Sequence, residues 1–201
     1  MKQEICFKHK PTGTLEVICG PMFSGKSEEL IRRLRRAKIA QQITITFKPH
    51  IDHRYGLEFV SSHNGSKVEA QPVKHVNEIL ARVEEVNATV IGIDEAQFFA
   101  PELVTIICTL INANKRVIVS GLDKDFRSAP FGCMPTLLAI ADKVTKLEAI
   151  CTQCGNDAHF SQRLVNNMPA KYNDPIIQVG AQETYQARCR SCYIIDKSYC
   201  L

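Results

Sequence analysis

Three groups of residues in this 201-residue chain are of the types and spacing that do chemistry. The first is "GPMFSGKS", Gly20 to Ser27, with four residues between Gly20 and Gly25 and then Lys26 and Ser27, after the apolar run "LEVIC" and before a helical pattern. Glycines at that spacing let backbone N–H groups converge on phosphate oxygens, Lys26 supplies a point charge and Ser27 a hydroxyl for Mg²⁺, which is the P-loop arrangement in the context that supports it. The second is "VIGIDEAQFF", residues 90–99. Asp94 follows a buried apolar run, where P-loop proteins place the acid of the Mg²⁺ shell. Glu95 is left to take a proton, from water or from another molecule's hydroxyl. The third is a pair of CxxC units, Cys151 with Cys154 and Cys189 with Cys192, the donor set of a closed tetrahedral Zn²⁺ site. Four thiolates leave no position for water, so that zinc is structural.

Elements must position these groups, and their pattern is α/β. Branched apolar runs at 15–19, 43–47, 88–93, 116–121 and 144–150 read as buried strands, and segments of helical spacing at 27–40, 75–86, 101–113 and 133–142 lie between them. The alternation predicts a doubly wound parallel sheet. After residue 150 the pattern changes to scattered Cys, Asn, Gly and Pro, with one strand-like run at 175–179. The expected division is therefore a nucleotide-binding domain over 1–150 and a small four-cysteine zinc domain over 151–201. The 34 residues between Cys154 and Cys189 exceed the spacing of a compact zinc ribbon. The expectation is a long loop stapled at both feet by zinc, free in its middle to close over a ligand.

Composition excludes several classes. No apolar run is long enough to span a bilayer, and "MKQEICFKHKPTG" lacks the apolar core of a signal peptide, so no membrane partner is expected and a cytoplasmic location is the default. Nine cysteines without an export signal point to metal ligands or buried thiols rather than disulfides. Cys19 and Cys108 read as small core residues. The basic run "RRLRRAK", 32–38, reads as the solvated face of a helix whose stripe is Leu30, Ile31, Leu34 and Ala37, not as a nucleic-acid contact.

Candidate acceptor-site residues gather at strand ends, where open α/β sheets bind ligands. "GLDKDFRSAPFG", 121–132, carries Phe126 and Phe131, and Phe98 and Phe99 follow the Glu95 segment. Rings beside a phosphate cradle suit a planar base. Asp52 and Arg54, in "KPHIDHRYG", offer a carboxylate to a sugar hydroxyl and a guanidinium to phosphate. The six histidines show no ligand spacing and receive no role from their chemistry.

Taken together, "GPMFSGKS", "KPHIDHRY", "IGIDEAQFF", "GLDKDFRSAPFG", "TKLEAICTQCGN" and "YQARCRSC" resemble the cytosolic, zinc-containing type II thymidine kinases over nearly the full length. The resemblance implies transfer of the γ-phosphoryl of ATP to the 5′-hydroxyl of thymidine or deoxyuridine, giving dTMP in nucleoside salvage, with Glu95 as general base. It implies a triphosphate site of Gly20, Pro21, Met22, Phe23, Ser24, Gly25, Lys26 and Ser27, completed by Asp52, His53, Arg54, Asp94, Glu95, Ala96 and Gln97. Phe126 matches the residue that packs on the thymine ring, and Met22, Phe98, Leu122 and Phe131 match residues of the same pocket. The excursion between the thiol pairs is similar to the family's lasso loop, in which Ile176, Ile177, Gln178, Val179 and Gly180 meet the base through backbone groups and Tyr185 closes the side. Ser161 stands where many relatives carry Thr, and Gln178 where an aliphatic residue is common. The lost methyl at Ser161 implies slightly looser discrimination at the thymine 5-methyl, a difference usually worth about 1–3 kcal/mol. Relatives are typically homotetramers inhibited by dTTP, and both properties are implied here by resemblance alone.

Two other readings use the same residues. In a P-loop ATPase with a zinc ribbon acting on nucleic acid, Glu95 would activate water and "RRLRRAK" would touch the nucleic acid. In a nucleotide sensor there would be no transfer chemistry. The shortness of the chain and the stapled, aromatic-lined C-terminal segment favour the kinase.

Overall fold

A computed structural model describes residues 12–50, 59–61, 65–176 and 183–195. The strands are β1 Thr14–Cys19, β2 Thr44–Pro49, β3 Phe59–Ser61, β4 Lys67–Glu69, β5 Gln71–Val73, β6 Val90–Ile93, β7 Arg116–Gly121 and β8 Lys143–Lys146, followed by the shorter set β9 Ala149–Ile150, β10 Asp157–Ala158, β11 Phe160–Val165, β12 Met168–Pro169 and β13 Glu183–Arg188. The helices are α1 Lys26–Ile39, α2 Glu78–Glu85, α3 Leu103–Asn112 and α4 Met134–Ile140.

Six strands form one sheet in the order β5-β2-β6-β7-β1-β8, and every pairing in it is parallel. Val90, Ile91 and Ile93 of β6 and Val117, Ile118 and Val119 of β7 are all fully buried, with apolar side chains to both sides, because the sheet has cover on both faces. On one face β1, β6 and β7 pack with α2, α3 and α4 through Leu15, Val17, Ile79, Ile91, Leu103, Val119 and Leu137. On the other, Leu30, Ile31, Leu34 and Ala37 of α1 pack on Ile18, Val90 and Ile118. The doubly wound α/β expectation holds. The chain leaves β1 toward β2 on one side and β7 toward β8 on the other, so the crevice where such sheets bind ligands opens at the C-terminal ends of β1 and β7, next to that of β6.

Two expectations need correction. Arg33, in the basic run, is not on a solvated face: it is 5% exposed and held by Glu29, Glu16 and the Thr145 hydroxyl at 2.7–2.8 Å. A planar guanidinium can be buried when its fork meets this many acceptors, which helical spacing alone does not show. And the run 144–150 divides into the edge strand β8 and the short β9, which pairs antiparallel with β10 outside the main sheet.

Glu16 joins Arg33 and Arg116, each at 2.7 Å. Burial alone would raise its carboxyl, but the hydrogen bonds and charges of Arg116 and Arg33 prevail and hold it below the usual 4.5. Glu29 is taken down to about 2, mainly by its hydrogen bond from Arg32. Both carboxyls are depressed in the folded chain, so their stabilisation is complete above about pH 4.5 and is lost as pH falls through the folded values. Acidifying from pH 5 to 3 is expected to lower the melting temperature, and Glu16→Gln to cost about 2–4 kcal/mol at pH 7 while flattening that acid limb. Thermal unfolding of both proteins across this range checks it; equal acid slopes would be the contrary result.

The C-terminal segment departs most from expectation. Much of the stretch between the two thiol pairs is sheet: β11 lies between β12 and β13, and its register with β13 runs from Phe160↔Arg188 to Val165↔Glu183. The excursion proper therefore begins beyond Val165. Pro175 and Ile176 are not in a strand, and the remainder of the run at 175–179 lies outside the described residues.

Candidate active site

The loop from Gly20 to Gly25 leaves the C-terminal end of β1 and delivers the chain into α1. Gly25 takes φ +81° at the N-cap, a left-handed conformation that glycine adopts without strain, and apart from its chain neighbours no described residue comes within 4 Å of where its Cβ would project. That open space faces an N-terminus of α1 with no side-chain cap. Lys26 Nζ reaches back to the Pro21 carbonyl at 2.6 Å, to which Ser24 Oγ also donates at 2.8 Å. Phe23, at φ 66°, stands half exposed at the loop's tip. Backbone amides, a lysine and an open concavity fit a polyphosphate.

Asp94 ends β6 beside this loop. Ser27 Oγ donates to its Oδ2 at 3.3 Å, and Ser120 Oγ, from β7, donates to Oδ1. Burial, then the adjacent charge of Glu95, raise its carboxyl to about 6. A buried carboxylate in such surroundings is costly until a cation discharges it, so Ser27 and Asp94 fit a Mg²⁺ shell.

Glu95 follows at φ 52°, a left-handed conformation uncommon for a residue with a Cβ, and caps the 3₁₀ turn Ala96–Phe98. Its Oε2 accepts from Gln97 Nε2 at 2.5 Å, while Gln97 Oε1 accepts from the Leu122 backbone N–H at 2.9 Å. Gln97 is 3% exposed and Ala96 fully buried, so both side chains point into the protein.

Beyond Glu95, a cavity of about 80 Å³ is lined by Met22, Phe98, Leu122, Lys124, Asp125, Phe126, Phe131, Ser161, Ile176 and Tyr185. The rings of Phe98 and Phe131 meet edge to face at 5.4 Å. Phe126 is 4% exposed, and behind it the fully buried Arg163 places its guanidinium 4.9 Å from the ring centroid while donating to the Pro175 carbonyl at 2.5 Å. Ser161 Oγ accepts from the Met22 N–H at 2.9 Å, joining the phosphate loop to β11.

The four Sγ atoms of Cys151, Cys154, Cys189 and Cys192 lie within 4.8 Å of one another. Thiolates at about 2.3 Å from a tetrahedral Zn²⁺ stand roughly 3.8 Å apart, so the cluster fits that ion. Cys151 and Cys189 pack with Ala149, Ala158 and Ala187 in a cluster of their own. From Cys192 the chain passes to Tyr193, whose ring stacks on Phe160 at 4.7 Å and whose hydroxyl donates to the Phe126 carbonyl at 2.5 Å. The thiol cluster is thus one residue removed from a group that holds the pocket wall.

The structure brings together Gly20 to Ser27, Asp94, Glu95 and the pocket residues from Met22 to Tyr185. Asp52, His53, Arg54, Ile177, Gln178, Val179 and Gly180 lie outside the described residues. Phe99 is buried in the main core. Cys19 is also a core residue, whereas Cys108 is partly exposed. Sequence reasoning passed over Lys124, Asp125, Ser120 and Arg163. For the first two the signal was present, since they lie in the strand-end segment already singled out; for Arg163, the last residue of the polar "SQR" of β11, nothing in the sequence marks burial.

Among the described residues no helix is long and apolar enough to cross a membrane. The model of the thymidine kinase family matches residues 13–193, a span that takes in the phosphate loop, the Asp94–Glu95 turn, the aromatic pocket and all four thiols. With that match extending from the start of the sheet to the residue after the last thiol, the chain belongs to the thymidine kinase family.

Proposed function

We propose that the protein transfers the γ-phosphoryl of ATP to the 5′-hydroxyl of thymidine or deoxyuridine. The observation that carries this reading is one carboxylate, Glu95, next in the chain to Asp94, which bonds Ser27 of the phosphate loop, and joined through Gln97 to Leu122 of an aromatic-lined cavity. Glu95 accepts the proton of the 5′-hydroxyl as that oxygen forms its bond to the γ-phosphorus, and the bond from phosphorus to the β,γ-bridging oxygen breaks, leaving ADP. The loop from Gly20 to Ser27 receives the triphosphate, with Lys26 at its outer phosphates. Bound Mg²⁺, held by Ser27 and Asp94, would neutralise charge developing on the phosphoryl oxygens. Asp52, His53 and Arg54 complete the polar surround.

The base lies against Phe126, with Met22, Phe98, Leu122, Phe131, Ser161 and Ile176 around it and Tyr185 at its side. Ile177, Gln178, Val179 and Gly180 meet its edge through backbone groups. The four thiols hold structural zinc, and residues 151–201 act as the part that closes over a nucleoside bound to the domain of residues 1–150. Assembly as a homotetramer, inhibition by dTTP and a cytoplasmic location belong to the same proposal and rest on family membership.

An assay of phosphorylated product over a panel of nucleosides, run beside ATP hydrolysis without nucleoside, tests it. Thymidine and deoxyuridine are expected to be phosphorylated well ahead of purine nucleosides, with ATP turnover dependent on them. Hydrolysis at full rate without nucleoside, rising with DNA, would favour the ATPase reading instead.

A further inference from the structure

Gln97 sits two residues after Glu95, where a side chain could reach the triphosphate site, but it is 3% exposed and both ends of its amide are engaged inside the protein. Its N–H donates to Glu95 Oε2 and its carbonyl accepts from the Leu122 N–H. One orientation of the amide satisfies both partners, since a carboxylate can only accept and a backbone N–H can only donate. The bridge therefore has a fixed direction, from the loop after β7 through Gln97 to Glu95.

Two features of the backbone make room for it. At Gly121, the last residue of β7, an added Cβ would lie 2.7 Å from Gln97 Oε1 and 2.8 Å from Met134 Sδ. At Gly132 one would lie 2.3 Å from the Gln97 carbonyl oxygen. Glu95 itself is held at φ 52°, a conformation that must be sustained by its surroundings. The hydrogen bond from Gln97 restricts where the carboxylate on that turn can point.

We propose that Gln97 is a positioning residue: its amide fixes the carboxylate of Glu95 relative to the Leu122 wall of the nucleoside cavity, so that proton acceptor and acceptor substrate share one rigid support. This rests on the reading of Glu95 as the general base. With both ends of its amide engaged inside the protein, Gln97 works through Glu95. It also ties the geometry of the base to the same backbone segment that lines the cavity, so the carboxylate and the pocket wall move together.

The test is a cycle of Glu95→Gln, Gln97→Met, Gln97→Glu and the two double variants, assayed at pH 8 for kcat and for KM of thymidine and ATP, with melting temperatures to confirm folding. Gln97→Met removes both hydrogen bonds at similar length. Gln97→Glu keeps an acceptor for the Leu122 N–H but replaces the donor to Glu95 with a like charge. Both single variants at Gln97 are expected to lose about 10- to 100-fold in kcat, part of the roughly 10²–10⁴-fold that a placed base supplies, with either KM changed less than about 3-fold. Neither substitution is expected to lower kcat further once Glu95 is Gln. Gly121→Ala, which presses on the amide without removing it, should show the same kcat loss. Wild-type kcat in Gln97→Glu would mean that the amide only supports Leu122 and would overturn the proposal. So would losses that multiply in full in the double variants. Wild-type kcat in Glu95→Gln would instead overturn the base itself, a result separate from either of these.

Discussion

Glu95→Gln is expected to lower kcat for thymidine phosphorylation by at least about 100-fold while ATP still binds, as for loss of a positioned general base. The reason lies in what the substitution leaves alone. Lys26, Ser27 and Asp94, to which we assign the phosphates and the metal, each keep a partner other than the Glu95 carboxylate: Lys26 the Pro21 carbonyl, and Asp94 the Ser27 and Ser120 hydroxyls. Removing the Glu95 charge leaves the Asp94 carboxyl less raised and takes a repelling charge away from the triphosphate, so ATP binding should hold. The amide of the new glutamine cannot take a proton, so chemistry fails where binding does not. Product formation for kcat and calorimetric titration for ATP separate the two effects. An enzyme phosphorylating thymidine at near-normal speed would remove Glu95 from the mechanism.

The second large effect concerns the thiols. Cys151→Ser is expected to abolish stoichiometric zinc, of which the native chain should hold about one ion resistant to mild chelation, and to weaken thymidine binding by about 10-fold or more with ATP affinity little changed. The path is visible in the structure. The cluster around Cys151 and Cys189 holds β9, β10 and the end of β13 with few apolar contacts besides alanines, so a bound zinc would supply most of what fixes it. From there β13 is paired to β11, which carries Ser161 and Arg163, and Tyr193 holds the Phe126 carbonyl. Loosening the cluster should slacken both the back of Phe126 and the strand that bears Arg163. The phosphate loop touches this part through the Met22 to Ser161 hydrogen bond and should feel less. Metal analysis with nucleoside titration checks the expectation. A folded, zinc-free variant with native thymidine affinity would show that zinc and pocket are uncoupled.

The two chemical centres differ in how they are written into the chain. The phosphate loop is legible because every part of it is local: strand, glycines, lysine, serine and helix follow within fourteen residues, Thr14 to Ser27, and their spacing fixes their geometry. The CxxC pairs are legible for the same reason within each pair, where two intervening residues suffice to turn both thiols to one metal. The parallel sheet follows from continuous apolar runs separated by helical segments. The strands of the C-terminal part were not legible, because Phe160–Val165 buries Ser161, Gln162 and Arg163 in succession after the single apolar Phe160. Burial of those groups is possible only because distant partners accept and donate to them: the Pro175 carbonyl and Phe126 ring for Arg163, the Met22 N–H for Ser161, and the Ile194 N–H for Gln162.

Asp94 and Glu95 show the division most clearly. The sequence by itself determined that two adjacent carboxylates end a buried strand near a phosphate loop, since apolar period and motif order require it. Only the tertiary structure decided their separate fates, because a left-handed turn at Glu95 sends one side chain to the hydroxyls of Ser27 and Ser120 and the other to the amide of Gln97. That amide, the buried arginine behind Phe126 and the tyrosine beside the thiols are long-range pairings, and no pattern of local spacing encodes which hydrogen-bonding groups will meet when a sheet closes.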